Sequence, residues 1–152
     1  MNLKKIATRN VVTLAPDATV QEAVKKMREF HVGDIVIVKN VAGKTVPLGI
    51  LTDRDIVMST VAFGVAPSSV TVEEIMAPAL TAAKTTDSFY HVLNLMKEHG
   101  IKRVPLVNPA GTLEGIISSE DIVALLASEL TDVVKIKERQ HSVEIERRRN
   151  FA

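Results

Sequence analysis

The sequence predicts an α/β protein, of the α+β kind, made of two copies of one unit. Residues 11–58 and 79–126 follow the same plan: an extended lead, an amphipathic helical run, a β-rich run, a glycine turn, a second strand and a closing helix. Each copy closes on glycine, two aliphatic residues, a hydroxyl residue, two variable residues and aspartate, followed by Ile-Val. An internal repeat constrains the architecture more than any single motif, so we expect two similar units packed together.

The first copy shows the spacing of apolar residues that distinguishes helices from strands. It predicts a helix, two strands and a second helix at residues 20–30, 35–38, 48–51 and 52–62. Thr19 and Glu22 form a capping box at the start of the first helix. The first copy is a few residues longer than the second at 40–44, where we expect a hairpin loop.

The second copy repeats this order after a short connector. It predicts a helix, two strands and a helix at residues 89–96, 104–107, 113–117 and 119–130. Pro105 favours an edge strand or an irregular strand start, because proline cannot donate a ladder hydrogen bond. In the connector, the capping box from Thr71 to Glu74 predicts one helical turn, which Pro78 stops. The connector is therefore expected to be a short tether.

These patterns divide the chain into five segments. They are a lead-in, a first motif, the connector, a second motif and a charged tail, at residues 1–10, 11–65, 66–78, 79–130 and 131–152. Each repeat alone would bury too little surface to be stable, so the two should fold as one body. The tail carries dense charge of both signs and ends near Arg147-Arg148-Arg149. It is either a helix with a thin apolar stripe that docks on a partner subunit, or a frayed, solvated segment.

Composition excludes several classes of protein. The chain has 152 residues, a formal net charge of +1 and no cysteine, which rules out disulfides, thiolate catalysis and cysteine zinc sites. So small a net charge gives no general attraction to nucleic acid or to a membrane. The start lacks the apolar core of a signal peptide, and no run approaches the roughly 20 apolar residues that span a bilayer. We therefore expect a cytoplasmic protein without a membrane partner.

Catalytic and metal-binding patterns are missing as well. No serine lies in a nucleophile elbow and no glycine-rich phosphate loop with lysine occurs. The four histidines include no pair with the i, i+4 spacing of a helical metal site. We therefore expect no catalytic residues, no metal site and no enzyme activity.

The closing phrase of each copy carries the chemistry. It places a strand end, a hydroxyl and a helix N-terminus in succession, and backbone N–H groups and the helix dipole favour an anion such as phosphate there. The hydroxyl of Thr52 or Ser118 can donate to a phosphate oxygen. One turn later, Asp55 or Asp121 can accept from the two hydroxyls of a ribose. The phrase therefore suits a phosphorylated nucleoside.

The same spacing has a purely structural interpretation. A hydroxyl residue followed three positions later by an acid is a helix capping box, and the connector uses one between Thr71 and Glu74 with no sign of a ligand. From these residues alone, both interpretations stay open.

The two copies resemble cystathionine-β-synthase (CBS) motifs, and together they are similar to a CBS pair, or Bateman module, over residues 10–130. The matching residues are Pro16, Thr19, Val20, Ala23 and Met27, the phrase from Gly49 to Val57, the connector 72–76, and 103–107. Bacterial stand-alone CBS-pair proteins are the nearest match. The resemblance implies a β-α-β-β-α order in each motif, two small sheets around a pseudo-twofold axis, and two clefts between them.

Members of that family commonly bind adenine nucleotides, and some bind S-adenosylmethionine. The resemblance therefore implies an adenosine-containing ligand, AMP, ADP or ATP first, and no other cofactor. It implies that Asp55 and Asp121 hold ribose, that Thr52 and Ser118 meet ribose or phosphate, and that Arg54 binds phosphate. The residues implied to line the base pockets are Thr13, Asp34, Ile35, Thr81, Lys102, Arg103, Val104 and Pro105.

The two implied sites differ in charge. Glu120 stands where the first copy has Arg54, and it would repel a polyphosphate. Lys102 and Arg103 of the second copy could restore positive charge, so we expect two unequal sites, with the phosphate tail drawn toward Arg54, Lys102 and Arg103. The alternatives are that Arg54 pairs with a carboxylate and that Lys102 and Arg103 are solvated strand-end charges.

The function expected from this resemblance is regulatory. The protein would sense an adenosine-containing ligand and signal to a separate protein partner, as a homodimer formed through helix faces. The alternative is a nucleic-acid-binding or scaffold protein that acts through the basic tail, with empty clefts. Glu138, Glu144 and Glu146 dilute the charge of that tail.

Overall fold

A computed structural model describes residues 2–151. Within that range the chain forms six α-helices and six strands. In order they are α1 (Leu3–Ile6), β1 (Thr13–Leu14), α2 (Val20–Phe30), β2 (Asp34–Val41), β3 (Lys44–Thr52), α3 (Asp53–Ser59), α4 (Val72–Ile75), β4 (Ala83–Lys84), α5 (Phe89–His99), β5 (Arg103–Val107), β6 (Leu113–Ser118) and α6 (Ser119–Asn150).

Two three-stranded mixed sheets organise the protein, one in each repeat. Their strand orders are β1-β2-β3 and β4-β5-β6. In each sheet the first strand runs parallel to the central strand and the third runs antiparallel to it. Helices α2 and α5 cover the sheets with apolar faces at the predicted spacing. The predicted α/β fold of two repeated units is confirmed.

The short helices α1 and α4 are exchanged between the two units. Leu3 of α1 is buried in the core of the second unit, beside Phe89 and Val92. Val72 of α4 is buried in the core of the first unit, with Val20. Each unit is thus completed by the segment that precedes the other along the chain. The lead-in and the connector are core elements, and the boundaries assigned to them from sequence stay predictions.

In each unit, the glycine of the closing phrase lies where the exchanged segment crosses the last strand of the sheet. A Cβ atom on Gly115 would come within 3.0 Å of the Thr8 carbonyl oxygen, and one on Gly49 would come within 2.7 Å of the Met76 sulfur. Beside Gly115, the Thr8 N–H donates to the Ile116 carbonyl at 2.9 Å, and the Ile116 N–H donates back at 3.0 Å. Gly115 therefore admits the exchanged backbone, and Gly49 admits the Met76 side chain.

The hairpin of the first unit has a shorter turn than expected. Strands β2 and β3 continue to a two-residue turn at Ala42 and Gly43, with φ of 50° and 79°. Residues 40, 41 and 44 were expected in a loop, but they are paired in the ladder. Positive φ at both turn residues matches the twist of the flanking strands, which allows the tight connection.

Pro105 lies in the central strand β5, two residues after its start at Arg103, so the edge-strand alternative predicted for it is wrong. It pairs with Ile116 on the antiparallel side. On the parallel side, β4 has only two residues, which pair with residues 106 and 107 and do not reach Pro105. At the equivalent position of β2, the Val36 N–H donates to the Val12 carbonyl at 3.0 Å, a bond that Pro105 has no N–H to make.

The two closing helices differ greatly in length. Helix α3 ends at Ser59 and a 3₁₀ turn follows over Val61–Phe63, so it is shorter than the predicted helix over 52–62. Helix α6 has 32 residues and runs through Leu130 without a break to Asn150. The tail is therefore helical, and the alternative of a frayed, solvated segment is wrong. Within residues 2–151, no helix combines the length and apolarity needed to cross a bilayer.

Candidate functional site

The same hydrogen-bonded capping box opens α3 and α6. Oδ2 of Asp55 accepts from the Thr52 N–H at 2.9 Å and from the Thr52 hydroxyl at 2.8 Å, and the Asp55 N–H donates to Thr52 Oγ1 at 3.1 Å. Ser118 and Asp121 repeat the three bonds at 2.8, 2.8 and 3.0 Å. The capping interpretation of both phrases is confirmed.

The box limits what these side chains can offer a ligand. The Thr52 and Ser118 hydroxyls donate to their aspartates, so they are not free to donate to phosphate as the sequence suggested. The box engages only Oδ2 of each aspartate. Oδ1 of Asp55 or Asp121 is therefore the oxygen that a ribose hydroxyl would meet.

The backbone N–H groups at the start of α3 are also occupied. The Asp53 N–H donates to the Gly33 carbonyl at 2.9 Å, and the Arg54 N–H donates to the Asp53 carboxylate at 2.8 Å. The Asp55 N–H is held by Thr52. The first three N–H groups of α3 thus already have acceptors within the chain, so anion binding at this helix start stays a prediction that would depend on side-chain cations.

Two clefts lie between the repeated units. The larger, which we name the Asp55 cleft, has a volume of about 590 Å³. It is lined by Gly33, Ile50, Thr52, Asp53, Arg54, Asp55, Ala77, Gly100, Ile101, Lys102, Arg103 and Glu120. The start of α3, the end of the connector and the start of β5 thus meet at one site.

The smaller cleft, named the Asp121 cleft, has a volume of about 170 Å³. It is lined by Thr8, Asn10, Val11, Val12, Val32, Asp34, Arg103, Ile116, Ser118 and Asp121. Small-molecule sites usually measure about 300–1,000 Å³. Only the Asp55 cleft falls in that range, so the two clefts are unequal in size as well as in charge.

Arg103 lines both clefts and carries the main ion pair between the units. Its Nε atom contacts Oδ1 of Asp34, and its Nη2 atom lies 4.0 Å from Oε2 of Glu120. Burial raises the pKa of Asp34, while the Arg103 guanidinium opposes that rise. The pKa of Glu120 is lowered by a hydrogen bond to its own backbone N–H and, further, by Arg103. Much of the Arg103 charge is therefore neutralised before a ligand arrives.

Nine of the fourteen sequence-predicted site residues line a cleft. The Asp55 cleft brings together Thr52, Arg54, Asp55, Lys102, Arg103 and Glu120. Asp34, Arg103, Ser118 and Asp121 line the other.

The other five predicted residues line neither cleft. Ile35 and Val104 are fully buried in the cores, because alternate residues of the central strands point inward. Pro105 is buried within its sheet. Thr13 lies on the edge strand β1, and Thr81 precedes β4.

Several residues that line the two clefts were not predicted from the sequence. Val32 and Ile101 are equivalent in the register that places Met27 on Met96, and they supply an aliphatic wall to the smaller and the larger cleft respectively. Their shared position just before a central strand was a usable signal. Thr8 and Ala77 were missed because only the exchange of α1 and α4 brings them to the clefts.

A known protein family matches most of the chain. Residues 3–61 and 72–128 match the family model of the CBS domain. The protein YhcV of Bacillus subtilis, a CBS domain-containing protein, is 34% identical over 121 residues, which cover 80% of this chain and 82% of YhcV. An uncharacterized protein of Methanopyrus kandleri, MK0525, is 34% identical over 123 residues, covering 81% of this chain but 61% of that protein. The chain thus spans less than two thirds of MK0525.

Solved structures share the fold and show what some relatives do. The CBS domain pair of MJ0100, crystallised with 5′-methylthioadenosine and S-adenosyl-L-methionine, matches with a TM-score of 0.73 and 28% identity over 85% of this chain and 98% of that one. A hexameric CBS-CP12 protein from bloom-forming cyanobacteria matches with a TM-score of 0.72 and 34% identity over 81% and 66%. One structural relative therefore binds adenosyl ligands and another forms an oligomer. The protein described here belongs to the CBS-domain family and carries two tandem CBS domains.

Proposed function

We propose that the protein binds an adenosine-containing ligand in the Asp55 cleft and acts as a regulatory sensor, without catalysis, that signals to a separate protein partner. The observation that carries this proposal is the Asp55 cleft itself. Its volume suits a small molecule, and it places an aspartate oxygen and two cationic side chains, Arg54 and Lys102, on one cavity. The adenosyl ligands of MJ0100 support the class of ligand.

Each part of such a ligand has a complementary group in the cleft. Oδ1 of Asp55 would accept from a ribose hydroxyl, since the capping box engages only Oδ2 of this residue, which lines the cleft. Ile50 and Ile101 would hold the base between aliphatic surfaces, because the cleft has no aromatic residue in its lining. Arg54 and Lys102 would contact a phosphate.

The charged residues that line the Asp55 cleft affect how strongly each adenine nucleotide binds. Three cations, Arg54, Lys102 and Arg103, are balanced by three carboxylates, those of Asp53, Asp55 and Glu120. Each further phosphate gains attraction to the cations and suffers repulsion from the carboxylates. We therefore expect AMP, ADP and ATP to differ in affinity by less than about tenfold, or 1.4 kcal/mol.

Regulation would follow from the position of the cleft between the units. A ligand that contacts α3 of the first unit and β5 of the second favours the arrangement of the units that it binds best. It can shift that equilibrium by no more than its difference in affinity for the two arrangements. The shifted arrangement is the signal that a partner protein would read.

We also propose that two copies act together. Val57 on α3 and its repeat counterpart Val123 on α6 are 51% and 66% exposed, at matching positions on the closing helices. Apolar helix faces of this kind favour a protein interface.

The test is a thermal-shift titration with AMP, ADP, ATP, NAD, S-adenosylmethionine and GTP on the wild type, Asp55→Ala and Asp121→Ala. The two variants lose equivalent capping boxes, so they control for each other's structural cost. A ligand that binds only the folded protein raises its Tm by mass action. We expect adenosyl ligands to raise the Tm of the wild type and of Asp121→Ala, but not of Asp55→Ala.

Two outcomes would contradict the proposal. One is an absence of any ligand-dependent rise in Tm for the wild type. The other is an equal loss of that rise in both variants, because it would attribute the effect to helix capping and not to the Asp55 cleft.

A further inference from the structure

The distal part of α6 is a long helix with almost no packing. Residues 131–150, which we name the tail helix, span about 30 Å. All of their side chains are exposed except that of Val143, which is half-buried. A helix of this length is marginal in water on its own, since most helical stability in proteins comes from packing. The tail helix therefore presents a surface that contact with a partner would stabilise.

One face of the tail helix forms a shallow groove. The apolar residues of this groove keep their positions when the helix is turned end to end. Ile136 and Val143 lie seven residues apart, hence on the same side of the helix, and both line the groove. They are equally distant from the midpoint between Arg139 and Gln140. If the helix is reversed end to end about that midpoint, each apolar residue takes the place of the other.

When the helix is turned end to end, charged residues of the groove exchange places with residues of opposite charge. Lys135 and Glu144 line the groove at equal distances from the midpoint, and so do Asp132 and Arg147. Every cation of these two pairs thus takes the place of a carboxylate when the helix is reversed. The groove is self-complementary in the antiparallel direction.

We propose that the tail helix of a second copy of this chain docks in this groove, antiparallel and centred between Arg139 and Gln140. A twofold axis then places the same patch on both copies, as in most homodimers. Ile136 of each copy faces Val143 of the other. Val123 lies about 25 Å along α6 from this twofold axis, so the tail contact is separate from the interface proposed at Val57 and Val123. It also goes beyond the proposed ligand site and does not depend on it.

Electrostatics selects the antiparallel direction over the parallel one. An antiparallel pair brings Lys135 and Lys137 near Glu144 and Glu146, and brings Asp132 near the arginines at 147–149. A parallel pair would place each of these charged residues beside the same residue of the second chain, where like charges repel. Antiparallel docking is therefore the arrangement that the charges favour.

Bonds within the helix do not prevent this pairing. Lys135 Nζ contacts Oδ1 of Asp132 at 2.9 Å, and Gln140 Nε2 donates to Oε1 of Glu144 at 3.0 Å. Both contacts are exposed, and exposed pairs of this kind contribute little. The apolar part of the interface is small, so we expect a weak contact that high salt weakens further.

A cysteine placed near the twofold axis tests the geometry directly, because the natural chain has no cysteine. Gln140→Cys brings the two thiols close together in the antiparallel pair. In Asp132→Cys or Arg147→Cys the two thiols are about 22 Å apart along the helix, whereas a disulfide needs Cα atoms within about 7 Å. With a mild oxidant, we expect a covalent dimer from Gln140→Cys, from neither control alone, and from the two controls mixed.

Charge reversal in the Gln140→Cys protein tests the pairing. Variant A adds Lys135→Glu and Lys137→Glu, and variant B adds Glu144→Lys and Glu146→Lys. Each variant alone meets like charges in the second copy, so we expect cross-linking to fall by about tenfold. Mixed together, A and B regain opposite charges at all four positions, so cross-linking should return as the A–B heterodimer. Circular dichroism checks that both variants keep their helix.

Some results would overturn the proposal. They are the absence of cross-linking in Gln140→Cys, equal cross-linking in the Asp132→Cys or Arg147→Cys control, or no recovery in the A–B mixture. A ligand-dependent rise in Tm remains measurable in all of these variants, because none of them lines the Asp55 cleft. Failure of this pairing is therefore distinguishable from failure of the ligand proposal.

Discussion

Leu3→Ala tests whether the start of the chain completes the core of the second unit. Leu3 is 1% exposed and packs with Phe89 and Val92, far along the chain. The substitution removes three carbon atoms, or about 2.4 kcal/mol at about 0.8 kcal/mol per methylene. The cavity left behind raises the loss of unfolding free energy to about 3 kcal/mol. For a chain of this size, that loss lowers Tm by about 9 °C.

The assay is thermal unfolding at fixed protein concentration, with Leu130→Ala as the matched control. Leu130 is 67% exposed on α6, so the same loss of carbon should change the unfolding free energy by less than about 0.5 kcal/mol. If Leu3→Ala lowers Tm no more than Leu130→Ala does, the exchange of α1 between the units is refuted.

Three further changes test the backbone crossing at Gly115, the half-buried ion pair of Asp34 and Arg103, and the Asp55 cleft. Gly115→Ala should destabilise the protein by about 1–3 kcal/mol in urea unfolding, because its new methyl meets backbone, whereas Gly49→Ala should cost less because a flexible methionine side chain can move away. The pKa of Asp34 is raised from 3.8 by burial, so the folded protein binds this proton more tightly than the unfolded chain, and stability falls as pH rises from 3.8 through the folded pKa. Asp34→Asn should remove that fall, which urea unfolding at a series of pH values measures. Ile101→Trp should fill the Asp55 cleft and abolish the ligand-dependent rise in Tm, whereas Val32→Trp, at the equivalent wall of the smaller cleft, should leave the rise in place.

Each of these expectations has a contrary result. Equal losses for the two glycine variants would mean that the backbone crossing near residue 115 is not close. An unchanged pH profile in Asp34→Asn would mean that another group causes the fall. A ligand-dependent rise in Tm that survives Ile101→Trp would place the ligand outside the Asp55 cleft.

Sequence reasoning succeeded where the interactions are local. The capping boxes at Thr52 and Ser118 and the helix from Val20 to Phe30 depend on residues three or four positions apart, so spacing alone predicts them. The repeat itself was visible for the same reason, since both copies carry the same local signals. The family resemblance then added the pair of clefts, and the ribose-binding role that it implies for Asp55 and Asp121 stays a prediction.

Sequence reasoning missed features that depend on contacts between distant segments. Pro105 lies in a central strand at a position that the two-residue β4 does not pair, and whether a strand is central is decided by pairing across the sheet. The long helix after Leu130 was left open between two alternatives, because its apolar stripe is thin. The free N–H groups expected at the start of α3 are used by Gly33 and by neighbouring side chains, which only the folded arrangement reveals.

The sequence by itself determined the duplicated α/β plan, the helix starts and the residue types offered at each phrase, because these follow from periodicity and from bonds within one helical turn. Only the tertiary structure decided that α1 and α4 complete the opposite units, that one cleft is about 590 Å³ and the other about 170 Å³, and that Arg103 is held by Asp34. These features arise where segments far apart in the chain pack together. Packing of that kind depends on the combined shape of many side chains, which no short stretch of sequence contains.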